Sequence, residues 1–121
     1  MYDISFFKDK NGKSTVLEYI NKLEEKSSND KRARVKLDKI NKSFQLLREK
    51  GTTIGAPIIR NLEKNIYKIR VLDSRFFFLR EGNTFVMISH FIKNTRKTPE
   101  KEKNIARKRW REFYDNISDD R

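Results

Sequence analysis

Cysteine is missing from this sequence, and histidine and tryptophan occur once each. Without cysteine there is no disulfide, no thiolate metal site and no thiol nucleophile, a usage that fits a reducing cytosol. One histidine leaves zinc without a ligand set. Long apolar runs are missing too: the longest, such as Phe76 to Leu79, fall far short of the roughly 20 residues that span a bilayer. The opening Met-Tyr-Asp-Ile-Ser-Phe-Phe carries no basic segment ahead of an apolar one, so it does not read as a signal sequence. The chain reads as soluble and cytoplasmic. Carboxylates paired at metal-ligand spacing, a phosphate-binding glycine loop and a Ser-His-Asp set are absent as well. No metal or cofactor is expected.

Positive charge is abundant. Lysine and arginine number 29 against 17 aspartates and glutamates, for a formal charge of +12 and a pI near 10.0. Polyanions are therefore the partners to consider first, although net charge bears on association and not on fold. A length of 121 residues suits one domain over residues 1–121 with one core.

Tyr2, Ile4 and Phe6 alternate with Asp3 and Ser5, the period-two pattern of a half-buried strand. After Asn11-Gly12, Thr15 and Glu18 form a capping box ahead of Val16, Ile20 and Leu23, predicting a helix over 15–26. Ser27-Ser28-Asn29-Asp30 caps a second helix, whose stripe of Ala33, Leu37, Ile40, Phe44 and Leu47 runs to Gly51. Beyond Gly55-Ala56-Pro57 the pattern changes to strands, a short one at 58–62 and longer ones at 66–71, 75–80 and 84–92. Turns at Leu72-Asp73-Ser74 and Glu81-Gly82-Asn83 suit an antiparallel meander. Thr98 as N-cap and Pro99 at the first helical position open a last helix, buried along Ala106, Trp110, Phe113 and Ile117. Ser118 to Arg121 read as a frayed tail. The order β-α-α-β-β-β-α, with one further short strand, predicts a two-layer α+β fold: helices cover one face of a mainly antiparallel sheet and leave the other free.

The strand at 66–71 sorts its residues by parity, Tyr67, Ile69 and Val71 to one face and Lys68 and Arg70 to the other. Arg75 opens the next strand near Arg70, and Lys93, Arg96 and Lys97 leave the last one. In a meander these groups converge on one concave side. Clustered cations repel one another unless an anion arrives, so convergence from separate segments points to an anion site. Taken singly, Lys68 or Arg70 reads instead as a charge that discourages edge pairing, and Lys101, Lys103, Lys108 and Arg111 as the solvated face of the last helix. His90 invites a general-base role and equally reads as a structural strand histidine. Phe76, Phe77, Phe78, Phe85 and Phe91 fill the core, with one or two of them kept for stacking on bases.

Four stretches then form a series: Asn65-Ile66-Tyr67-Lys68-Ile69-Arg70, Ser74-Arg75-Phe76-Phe77, Phe91-Ile92-Lys93-Asn94-Thr95-Arg96-Lys97-Thr98-Pro99-Glu100 and Ala106-Arg107-Lys108-Arg109. Together they resemble the phage Gp49-like branch of the RelE/ParE toxin superfamily, the HigB toxins, over roughly 62–109 in motif and the whole chain in element order. The resemblance implies a RelE-like fold and a metal-independent endoribonuclease that cuts ribosome-bound mRNA, leaving 2′,3′-cyclic phosphate and 5′-hydroxyl ends. Its partner would be a helix-turn-helix, HigA-like antitoxin, in a heterotetrameric complex able to bind operator DNA through the antitoxin. The outer face of the two helices in 15–50 is the surface expected to meet that antitoxin. The resemblance also implies Lys68, Arg70, Arg75, Lys93 and Lys97 as the catalytic set, with Arg96, Tyr67 and His90 contacting RNA. In that scheme Lys68 is the base, Arg70 and Arg75 hold the phosphate, and Lys93 or Lys97 donates the proton. Two departures stand out: Phe76-Phe77-Phe78 follows Arg75 where relatives carry a tyrosine, and Ser89 stands where many carry a histidine, His90 facing the other way. A ParE-like gyrase inhibitor and a non-catalytic RNA-binding protein are the alternatives.

Overall fold

Two tight turns set the register of the sheet. In the computed structural model, which describes residues 1–119, Val71 pairs with Ser74 around Leu72-Asp73, and Glu81 pairs with Thr84 around Gly82-Asn83. Gly82 and Leu72 both have positive φ, 59° and 55°, at the first position of a two-residue hairpin, where glycine is the usual occupant. The turns join β3 (Ile66–Val71), β4 (Ser74–Glu81) and β5 (Thr84–Ile92), and β2 (Ile59–Glu63) adds to β3. All these pairs are antiparallel, as the meander predicts.

The first strand, β1 (Asp3–Phe6), lies parallel to β5 and completes the order β1-β5-β4-β3-β2. Between β1 and β2 run α1 (Thr15–Ser27) and α2 (Lys31–Lys50), and the chain closes with α3 (Glu100–Asp119). The α+β expectation and the extra short strand are both realised. Among the described residues no helix is long and apolar enough to cross a membrane.

Asp30 caps α2 by accepting from the amides of Arg32 and Ala33, and Gly51 ends it. The cap of α1 differs from the expected box. Ser14 accepts from the Leu17 amide at 3.2 Å, while the Thr15 hydroxyl accepts from Arg109 of α3 at 3.0 Å. Ser118 belongs to α3 rather than to a frayed tail; Asp120 and Arg121 lie outside the described residues.

Both faces of the sheet are buried, and this corrects the expectation of one free face. Ile69, Val71, Phe76, Phe78, Phe85 and Met87 pack under α1 and α2 against Val16, Leu23, Ile40, Phe44 and Leu47. Ile66, Phe77, Leu79, Val86, Ile88 and Phe91 form a second core with Ala106, Trp110, Phe113 and Tyr114 of α3. The signal was in the runs Phe76 to Leu79 and Phe85 to Ile88: an unbroken apolar run is what a strand covered on both sides requires. A bulge opposite Phe77, where Ile88 is the extra residue, breaks the alternation of β5.

Polar side chains fasten α3 to its face. Trp110 donates its indole N–H to the Asn65 side chain at 2.7 Å. Asn65 donates to the Tyr114 hydroxyl at 2.7 Å, and that hydroxyl donates to Glu81 at 2.6 Å. Arg107 bonds Glu63 and Glu100, both at 2.8 Å, and Arg109 donates to the Ile88 carbonyl at 2.8 Å. The basic residues of this helix are therefore partly ties to the sheet, and only Lys101, Lys108 and Arg111 show the expected exposure.

Candidate active site

Because α3 covers only part of its face, a groove of about 1010 Å³ remains between β2, β3, the loop 93–99 and the first turn of α3. Strand alternation fills it with charge. Ile66 turns under α3, so Lys68, two residues on, comes up on the same side in the uncovered region. Arg60 lies directly across from Lys68 in the β2–β3 ladder. Lys93, Arg96 and Lys97 enter from the loop, and Lys103 from one turn into α3. Next along β3 and β4, Arg70 and Arg75 sit opposite each other, a like-charge pair that a sheet does not favour.

Lys68 is half-buried, and its amino group donates to the Thr98 hydroxyl at 2.6 Å. Burial, then the charges of Lys93, Arg75, Lys103 and Arg60, hold its pKa below the ordinary lysine value. Arg75 is 9% exposed, and one guanidinium nitrogen donates to the carbonyls of Leu72 at 2.6 Å and Ser74 at 3.0 Å. The left-handed backbone at Leu72 belongs to the turn that supplies one of these carbonyls. Burial and the neighbouring Arg70 depress the Arg75 pKa, and Asp73 partly offsets them. Two fixed cations, each with a weakened hold on its proton, stand beside others from β2, the loop and α3. Such a set can bind a phosphodiester, neutralise charge that builds on it and exchange a proton with it.

The eight residues assigned to the site from sequence fall into three groups. Lys68, Lys93, Arg96 and Lys97 line the groove. Arg75 lies close enough for its charge to act on Lys68, and Arg70 pairs with it at the exposed end. Tyr67 and His90 stand on the opposite face, under α1 and α2. The Tyr67 ring stacks on Phe78 with centroids 5.6 Å apart. His90 stacks on Tyr19 at 3.6 Å, and its Nε2 lies 3.2 Å from the Ser74 hydroxyl. Neither reaches the groove, because strand parity carries both side chains through the sheet.

None of the five phenylalanines weighed for base stacking is exposed; all are buried in the two cores. Ser89 is also buried, with no hydrogen-bond partner for its hydroxyl among the described residues. Two groove residues escaped the sequence reading. Arg60 lay in a short strand whose register with Lys68 is visible only once the ladder is drawn. Lys103 was grouped with the solvated face of α3, yet it is half-buried and lines the groove beside Glu100. The spacing from Pro99 carried that signal, since residues one turn into a helix return to the side on which the chain entered. Thr98 is expected as the helix cap, but the hydrogen-bonded turns of α3 start at the Pro99 carbonyl, which accepts from the amides of Glu102 and Lys103 at 3.0 and 3.3 Å, and Thr98 makes no capping bond to α3 among the described residues. Its hydroxyl serves Lys68 instead.

A family model described as phage derived protein Gp49-like matches residues 18–111. That span contains every residue of the groove. No curated protein matches the chain.

Proposed function

The chain belongs to the Gp49-like family, within the RelE/HigB-type toxin group, and from that premise we propose that it is the toxin of a toxin-antitoxin pair acting as an endoribonuclease on ribosome-bound mRNA. One observation carries the reading: a half-buried lysine amine with a depressed pKa, surrounded by cations from β2, β4, the loop and α3.

Cleavage of an RNA strand by its own 2′-hydroxyl needs a base, a counter-charge and an acid. In its neutral form Lys68 takes the 2′-hydroxyl proton as that oxygen attacks phosphorus. Arg75, with Arg70 beside it, stabilises the negative charge that accumulates on the non-bridging oxygens. Lys93 or Lys97 protonates the departing 5′-oxygen as the phosphorus–oxygen bond breaks, leaving a 2′,3′-cyclic phosphate and a 5′-hydroxyl. Phe77 is the aromatic residue among those lining the groove, and it is buried, so the groove grips the backbone and offers bases no stacking surface. Orientation of the substrate then falls to the ribosome, and free RNA is cut feebly. A helix-turn-helix antitoxin remains the proposed partner, in a heterotetrameric complex that binds operator DNA through the antitoxin.

Primer extension on messages from cells expressing the protein tests the reading, with a gyrase supercoiling assay beside it. Discrete stops within translated regions, lost in Arg75→Ala, support the nuclease. Inhibited supercoiling with uncut messages would replace it by a gyrase inhibitor, and neither effect would leave a binding protein.

A further inference from the structure

We propose that Thr98 is a positioning residue of the groove, whose hydroxyl holds the Lys68 amino group at the centre of the surrounding cations, facing the bound phosphodiester. The catalytic consequence rests on the nuclease reading above; the positioning itself does not.

A threonine just ahead of a helix ordinarily caps it. Here the hydrogen-bonded turns of α3 start one residue later, at the Pro99 carbonyl, which accepts from the amides of Glu102 and Lys103, and the Thr98 hydroxyl lies 2.6 Å from the Lys68 nitrogen. Lysine has four side-chain torsions and three donors on a strongly hydrated charge. Charges face it from every element around it: Arg60 on β2, Arg75 on β4, Lys93 on the loop and Lys103 on α3. Among the described residues the one carboxylate lining the same groove, Glu100, is engaged by Arg107 at 2.8 Å and Lys103 at 3.8 Å. Repulsion therefore drives Lys68 outward to water unless an acceptor retains it.

The chemistry of that acceptor matters. A carboxylate in this place would neutralise Lys68, raise its pKa and repel phosphate. A hydroxyl retains the amine and leaves the cationic field intact. The acceptor is also stiff. A β-branched side chain restricts χ1, the residue before proline is confined to extended backbone, and Pro99 fixes its own φ. This accounts for the Thr-Pro pair at a junction where capping does not use the hydroxyl.

Thr98→Val keeps the shape and removes the acceptor; Thr98→Ser keeps the acceptor; Thr98→Ala is a second deletion should valine perturb folding. In Thr98→Val, kcat on ribosome-bound message falls roughly 10- to 100-fold with KM changed by less than about threefold, while Thr98→Ser restores most of the rate. Loss of a hydrogen bond to the charged amine moves the acidic limb of the pH–rate profile to lower pH. If Thr98 merely tied α3 to the sheet, loosening it would admit water to Lys68, and the limb would move up or stay. NMR titration of the Lys68 side chain in the free protein reads the same shift without substrate. A wild-type protein that cuts nothing, with the titration shifted in both deletions, sinks the nuclease reading and keeps the positioning role. A Lys68 titration unchanged by Thr98→Val and Thr98→Ala overturns the proposal, whatever happens to cleavage.

Discussion

The two faces of the sheet are made by the same strands and closed in opposite ways. Beneath α1 and α2, burial is continuous and the titratable groups are paired off: Lys36 with Asp73 at 2.7 Å, and His90 between the Tyr19 ring and the Ser74 hydroxyl. Beneath α3, the cover stops short and depends on a few polar ties, and cations converge in the part left open. Charge can gather where burial is incomplete, because water or an anion can still reach it. The fold thus keeps a core on each face and confines its electrostatically costly arrangement to the part of one face that α3 leaves open.

The largest effect expected is on the covered face. Phe76 is fully buried against Phe44, with centroids 5.1 Å apart. Phe76→Ala costs about 3–5 kcal/mol of stability, read by chemical denaturation, while the rate per folded molecule stays near that of the wild type. A matching loss of rate would show that the faces are coupled. Next comes Lys68→Met, which keeps the stem and removes the amine. Cleavage drops by about 100- to 1000-fold. Stability at neutral pH rises, because the fold depresses the Lys68 pKa and therefore penalises its charged form. The sign is fixed: in the wild type the penalty is present below the folded pKa and fades as pH climbs toward the unfolded value. A variant equally dead and less stable would make Lys68 a structural residue.

How much of this contrast could be read from the sequence depends on whether local pattern or register decides it. Alternation in Ile66–Val71 separates Lys68 from Tyr67, and the loop residues Lys93, Arg96 and Lys97 follow from the end of a strand. Both are local facts, and the structure reproduces them. Arg60 is different, because its place opposite Lys68 depends on a ladder with a register shift between Asn61 and Glu63. The Thr98 bond to Lys68 spans thirty positions of the chain, and no local rule contains it; capping preference pointed the hydroxyl the wrong way. The two-sided burial of β4 and β5 was legible as apolar runs, but which face α3 covers is set by long-range docking of its apolar stripe, which element order does not contain.

His90 gives the covered face a pH signature below neutrality, distinct from that of Lys68 in the groove. Burial, and then the charge of Lys36, push its imidazole down to about 4, with Asp73 opposing. Between that value and the unfolded value near 6.5, the unfolded chain binds a proton that the folded one refuses. Stability is therefore fully present above about 6.5 and lost as pH falls toward about 4. The loss is at most on the order of 3 kcal/mol, at about 1.4 kcal/mol per pKa unit, and solvent screening of the partly exposed ring keeps it below that. His90→Phe preserves the ring stack and flattens the dependence in thermal melts at several pH values, with cleavage unchanged. A pH dependence of stability that survives the substitution would assign it to other groups.

The smallest effect lies where the faces meet, at the turn that orients Arg75. Leu72 is 51% exposed and holds φ at 55°, a conformation that costs a side-chain-bearing residue about 1 kcal/mol or more. Gly82 takes the same place in the next hairpin without that cost. Leu72→Gly removes the strain but enlarges the freedom of the unfolded chain, so the net gain is about 0.5 kcal/mol. The Leu72 carbonyl that accepts from Arg75 is backbone and survives the substitution. A small rise in melting temperature with cleavage retained is therefore expected. Should cleavage fall while stability rises, the left-handed turn would be holding Arg75 in place through its stiffness, and the exposed leucine would belong to the groove's architecture.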